Sequence, residues 1–143
     1  MMDIVDATIV NAENSILGRL ASIVAKRLLN GEKIIIINAD KGLISGKEDF
    51  IAAKYLQRWR IKTKSNPLKG PFHPRETDKI LKRTIRGMLP YQKSRGKEAY
   101  HRLVVYKDFP EEFREGEIKI IPEAQNINPK ASYISLEELR SKI

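Results

Sequence analysis

Arg83 and Arg86 in "DKILKRTIRGMLP", followed by Lys93, Arg95 and Lys97 in "QKSRGK", have the types and spacing to hold phosphate. Arginine offers a planar fork that grips a phosphate through two N–H groups, lysine adds a mobile point charge, and the Ser94 hydroxyl can meet a ribose 2′-hydroxyl. On a helical wheel Ile80, Leu81, Thr84, Ile85 and Met88 fall within an arc of about 140°, and Lys79, Lys82, Arg83 and Arg86 within about 100° on the other side. A solvated helix face normally mixes charge signs and gains i, i+4 pairs, but no acid stands among these four cations. Gly87 removes the Cβ that would keep a ligand from the backbone, and Pro90 forces a turn. Gly96 fits either role: helix punctuation or close approach to a phosphate.

The charge distribution favours a polyanion as the partner. Of the 143 residues, those from Lys54 to Lys107 hold 16 Lys and Arg against three acids (Glu76, Asp78 and Glu98), a balance of +13. The rest holds 11 against 15, a balance of −4, so the net charge of +9 comes entirely from one block. Such a block between mildly acidic flanks fits nucleic acid better than an anionic membrane.

Other chemistries fit poorly. The chain has no cysteine, which excludes disulfides, thiolate metal sites and a cysteine nucleophile, and agrees with a cytoplasmic location. "LISGKE" fails as a phosphate-binding P-loop: Gly42 stands one residue too close to Gly46-Lys47, and Glu48 replaces the hydroxyl that would hold magnesium. "NAENS" lacks the glycines of a dinucleotide site, and Glu13 would repel a pyrophosphate. His73 and His101 stand outside any catalytic or ligand motif, which leaves them surface or RNA-stacking roles. An RNA- or nucleotide-directed enzyme would need a convergent acid or base in the basic block, where only Glu76, Asp78 and Glu98 are available. Tyr55 and Trp59 read as core residues rather than base-stacking ones. The acids of "DFPEEFREGE" read as solvated surface.

These residues need a scaffold, and the apolar pattern predicts one. "TIVNA" (8–12) reads as a strand, followed by a helix capped by Asn14 or Ser15, with Ile16, Leu20, Val24 and Leu28 on one face and Gly31 at its end. "KIIIIN" (33–38) is a continuous β-branched run, as expected of a strand buried on both faces, and completes a βαβ unit with a right-handed crossover. A second helix is predicted from a Ser45 capping box, "SGKE", to Arg60. An irregular loop follows over 61–76, then helices over Thr77–Met88 and Ser94–His101. Strands are predicted over 102–108 and 117–121, a surface connection over 122–130, and a last helix from the "SLEE" box at Ser135. No apolar run reaches the roughly 20 residues of a membrane span, and "MMDIVDATIV" lacks a basic leader.

At "IRGMLPYQKSRGKEAYHRLVVYKDFP" (85–110) the chain resembles the thirteenth protein of the large ribosomal subunit, in its archaeal and eukaryotic form. "ILGRLASIVAKRLL" (16–29), "IINADKGLISG" (36–46), "GPFHPR" (70–75) and "YISLEEL" (133–139) are similar to that family's other blocks, in the same order. The chain departs from the family pattern at Glu76-Thr77-Asp78, at Lys82 where tryptophan is common, and at Tyr91 where histidine is frequent. The resemblance implies one domain over 1–143, a three-layer α/β/α fold with a four-stranded parallel sheet, and a structural role in the large subunit. It also implies binding of large-subunit ribosomal RNA, contact with neighbouring ribosomal proteins, help in assembly, and neither enzymatic activity nor a cofactor, metal or small-molecule substrate. Arg83, Arg86, Gly87, Lys93, Arg95, Lys97, Lys79 and Lys82 are then the main expected RNA-binding residues. Arg19, Arg58, Arg60, Lys62, His73 and Arg75 complete the set.

Overall fold

A computed structural model describes residues 7–61, 64–66, 68, 70–113, 116–125 and 131–142. Lys62 and parts of the 61–76 loop lie outside the described residues. The element order is β1 (Ala7–Asn11), α1 (Leu17–Leu29), β2 (Lys33–Ile37), β3 (Leu43–Ser45), α2 (Glu48–Arg60), α3 (Thr77–Gly87), α4 (Ser94–His101), β4 (Leu103–Val105), β5 (Ile118–Lys119), β6 (Tyr133–Ser135) and α5 (Leu136–Lys142).

The sheet has the order β4-β2-β1-β5, and every pairing in it is parallel. Ile34 to Ile37 of β2 are all at most 2 % exposed, as the unbroken β-branched run predicts. Alternation divides them between two cores. Ile34 and Ile36 join Val10 and Leu103 against Leu20, Val24 and Leu28 of α1, Ile80, Leu81 and Ile85 of α3, and Ala99 of α4. Ile35 and Ile37 face the other way with Ile9, where Phe113 closes over them, flanked by Tyr106, Phe109 and Ile118. The layers are thus the helices, the sheet, and the segment that carries the short 3₁₀ helix Glu111–Phe113. Phe113 is a core residue, while the acids Glu111 and Glu112 beside it are exposed, as expected.

Several boundaries differ from the sequence reading, each because a distant segment overrides a local signal. Neither Asn14 nor Ser15 caps α1: Ile16 holds that position, and Ser15 is buried and accepts a hydrogen bond from Gln125 Nε2 at 3.0 Å. Ser45 caps nothing either. It lies in β3, which pairs antiparallel with β6, and α2 starts at Glu48 after Gly46 turns the chain at φ 137°. The second capping box holds, since the Glu138 N–H donates to Ser135 Oγ at 3.2 Å. Predicted strands 102–108 and 117–121 shorten to three and two residues. Within the connection expected to lie on the surface, Pro122–Ala124 forms a 3₁₀ turn whose Ala124 is buried and whose carbonyl accepts the Ile16 N–H at 2.8 Å. Residues 126–130 of that connection lie outside the described ones.

Gly31 ends α1 at φ 96°, as expected, but the two glycines of the basic region serve different purposes. A Cβ on Gly96 would overlap the Pro90 carbonyl and come within 2.8 Å of the Tyr91 nitrogen, so α4 lies directly against the turn that Pro90 makes. A Cβ on Gly87 would meet nothing within 4 Å. Gly96→Ala should therefore destabilise the fold by about 1–3 kcal/mol through overpacking, whereas Gly87→Ala should leave it unchanged or raise stability by about 0.5–1 kcal/mol. Thermal and urea unfolding of the two variants beside the parent checks both signs.

Candidate nucleic-acid interface

The wheel on which α3 was read translates into its packing. Thr77, Ile80, Leu81 and Ile85 are buried, while Lys79 and Arg83 are exposed and Lys82 and Arg86 half-exposed. Met88 breaks the pattern at 43 % exposure, because the helix stops at Gly87 and the chain turns, leaving Leu89 to fill the core. Arg58 and Arg60 near the end of α2, Arg75 in the following loop, and Lys93, Arg95 and Lys97 at the start of α4 are all exposed.

Aromatic rings join these cations. The Arg58 guanidinium sits 5.3 Å from the Tyr55 ring centre, and that of Arg75 sits 3.5 Å from the centre of Trp59. Lys82 Nζ lies 5.0 Å from the centre of Tyr100, the Arg86 guanidinium 5.0 Å from that of Tyr91, and Tyr91 meets Tyr100 edge to face at 5.4 Å. Burial raises the Tyr100 phenol pKa, and the positive fields of Arg86 and Arg83 act against that rise. The Tyr55 phenol is likewise raised by burial and opposed by Arg58. Each ring gives a cation an apolar and electrostatically favourable seat without consuming its charge.

Two depressions connect the groups. One lies between α2, α3 and the loop before α3, with Arg58 and Arg83 facing it beside Tyr55, Trp59, His73 and Thr84. The other, of ≈ 460 Å³, is an open groove bounded by Arg86, Gly87, Pro90, Tyr91 and Lys93. Arg58 and Arg83 thus share one depression with His73, Arg86 and Lys93 share the other with Gly87, and Arg83 and Arg86 stand three residues apart on α3. Arg19 is exposed on α1 and lines neither of these two depressions. Lys62 lies outside the described residues.

A carboxylate can neutralise a cation before any ligand arrives. Among the described residues, ion pairs within 4.0 Å hold Arg27, Lys41, Lys107, Arg140 and Lys142, and none holds a candidate RNA-binding residue. The crevice beside the carboxyl ends of β1 and β5, where open α/β sheets commonly hold ligands, has the opposite sign: Glu13, Asp40 and Glu137 line it against Lys41 alone. Among the described residues no group of His, Asp and Glu is arranged to hold a metal ion, and no helix is long and apolar enough to cross a membrane.

The parallel sheet thus carries a row of exposed and half-exposed cations along α3 and the start of α4. The family model described as ribosomal protein L13 matches residues 6–112. The chain belongs to the ribosomal protein L13 family. It is 50 % identical over 122 residues to the large ribosomal subunit protein uL13 of Methanosphaera stadtmanae, covering 85 % of this chain and 86 % of that one. The uL13 of Methanocaldococcus jannaschii is 46 % identical over 133 residues, 92 % and 93 % of the two chains, and that of Archaeoglobus fulgidus 41 % over 136, 94 % and 85 %. Members of this family are structural ribosomal proteins rather than enzymes.

Of the departures from the L13 pattern noted in the sequence, all but Asp78, whose buried Oδ1 has no hydrogen-bond partner among the described residues, have partners within this chain. Lys82 and Tyr91 both seat on Tyr100, and the Thr77 hydroxyl donates to an Asp40 oxygen. Glu76 receives Lys107 on one carboxylate oxygen and Arg140 at 2.9 Å on the other. Sequence reasoning missed these aromatic seats, although Tyr55, Arg58 and Trp59 stand at i, i+3 and i+4 and so share a helix face.

The bonds to Lys107 and Arg140 lower the Glu76 pKa below its ordinary 4.5. With the folded-state value depressed, the pairing contributes in full above 4.5 and its contribution is lost as pH falls through the lower folded-state value. Comparing the melting temperatures of the parent and Glu76→Gln across the acidic range should show a deficit for the variant at neutral pH. That deficit should shrink once the pH falls below 4.5.

Proposed function

We propose that this chain is a structural constituent of the large ribosomal subunit that binds large-subunit ribosomal RNA through the face carrying α3, the Pro90 turn and the start of α4, and assists subunit assembly. The main contacts are Arg83 and Arg86 to phosphates, Gly87 as a place of close backbone approach, and Lys93, Arg95 and Lys97 beyond the turn. Lys79 and Lys82 extend this face along α3, and Arg58, Arg60, His73 and Arg75 extend it toward α2. Arg19 and Lys62 are outlying members of the same set. The whole chain acts as one ribosomal-protein domain, with the basic block 54–107 turned to RNA and the more acidic remainder available to neighbouring ribosomal proteins.

The observation that carries this reading is the absence of a carboxylate on the candidate cations among the described residues, while Arg27, Lys41, Lys107, Arg140 and Lys142 each have one. Cations gathered without partners repel one another, and phosphates that neutralise them release condensed counterions, which favours binding. Family membership supports the same partner, since the relatives are named as large-subunit proteins.

Arg83→Glu combined with Arg86→Glu should leave the fold intact, because neither side chain enters the core, and should abolish co-sedimentation with large subunits. Binding of the parent to purified large-subunit RNA should weaken with salt at a log–log slope of about −4 to −5 for roughly six neutralised phosphates. A folded double variant that sediments like the parent would remove α3 from the interface.

A further inference from the structure

Arg75 and Trp59 form a flat, charged surface for which phosphate binding alone has no use. The guanidinium carbon lies 3.5 Å from the indole centre, the contact distance of two π systems laid face to face. Arg75 is exposed, and among the described residues its side chain donates to no acceptor and pairs with no carboxylate. Its outer face and the edge of its fork therefore remain open to a ligand. The indole itself borders the narrow cleft, of ≈ 70 Å³, in which Tyr55, His73 and Thr84 also take part. Arg83 helps to hold the loop side of this arrangement, donating to the Phe72 carbonyl at 3.4 Å, and the Phe72 side chain is left 67 % exposed.

We infer that this corner binds an unpaired RNA base, stacked on the Arg75 guanidinium that Trp59 supports, while Arg58 and Arg83 hold the flanking phosphates. The inference rests on the RNA-binding reading above and adds to it a single-stranded segment at this corner. A duplex alone has no use for the stack: its bases are already stacked internally, and its phosphates engage the edge of a guanidinium fork and leave its open face unused. An unpaired nucleotide uses the whole arrangement, because guanidinium planes and aromatic rings are the surfaces on which splayed RNA bases stack. The cleft is too small to take a base whole, so the base lies on the outer face of Arg75. Tyr55 and Trp59, read from sequence as core, are half-buried and each carries an arginine on its ring.

Trp59 is the only tryptophan in the chain, so its fluorescence reports on this corner directly. The full chain is titrated with a short labelled oligoadenylate and, separately, with a short GC duplex at matched phosphate content. Label anisotropy reports binding, and indole emission reports stacking. The single strand should change Trp59 emission and the duplex should not. Arg75→Lys, which keeps the charge and loses the plane, should weaken oligoadenylate binding roughly tenfold, a several-fold larger loss than it causes in duplex binding. Trp59→Leu should repeat that pattern, and Arg75→Lys keeps the test independent of whether the Trp59 variant folds. Binding of both RNAs with unchanged emission, or with equal losses in Arg75→Lys, would overturn the base site and leave the phosphate interface standing. Failure of both RNAs to bind the parent would overturn the two together.

Discussion

Like charges crowded on one surface must be held there by something other than themselves. Two exposed cations at contact distance in water repel by about 1 kcal/mol, and less where salt screens them over roughly 8 Å. Each fully buried isoleucine of β2 contributes about 1.5–3 kcal/mol, and four stand in sequence from Ile34 to Ile37. Burial of this one strand thus outweighs several such repulsions, so the crowding of charge is a small term beside the core that carries it. The cationic face takes its shape from the apolar side of α3, where Ile80, Leu81 and Ile85 anchor the helix and leave Lys79 and Arg83 exposed.

The aromatic residues settle how so many cations can lie close together without carboxylates. Tyr55, Trp59, Tyr91 and Tyr100 each carry an arginine or lysine over the ring, which fixes the cation's position and keeps its charge available. An aspartate in the same place would have fixed the position and cancelled the charge. The acids that do form pairs lie elsewhere, on Arg27, Lys41 and Lys142, or at Glu76, where they join segments of the scaffold.

Periodicity made much of this legible. The continuous run at 33–38 announced a strand buried on both faces, the wheel of α3 separated core from cations, and the Ser94–His101 helix begins and ends where its sequence suggested. Signals that failed were local ones overridden by distant partners. "SGKE" has every residue of a capping box, yet β6, some ninety positions later, draws Ser45 into a strand; Gln125 likewise takes the Ser15 hydroxyl from the helix it would have capped. The candidate site was readable as a set of residue types but not as shared depressions. Which cations share one depends on how distant segments approach each other: Arg58 of α2 and Arg83 of α3 meet at one only in the folded chain, whereas Arg19 lies exposed on α1.

Glu76 joins Lys107 and Arg140, residues separated from it by 31 and 64 positions. The carboxylate thus fastens both α5 and the stretch after β4 to the residue at which α3 begins, and with it the base of the cationic face. Each oxygen serves a different segment, so removing one cation would open one joint and leave the other standing.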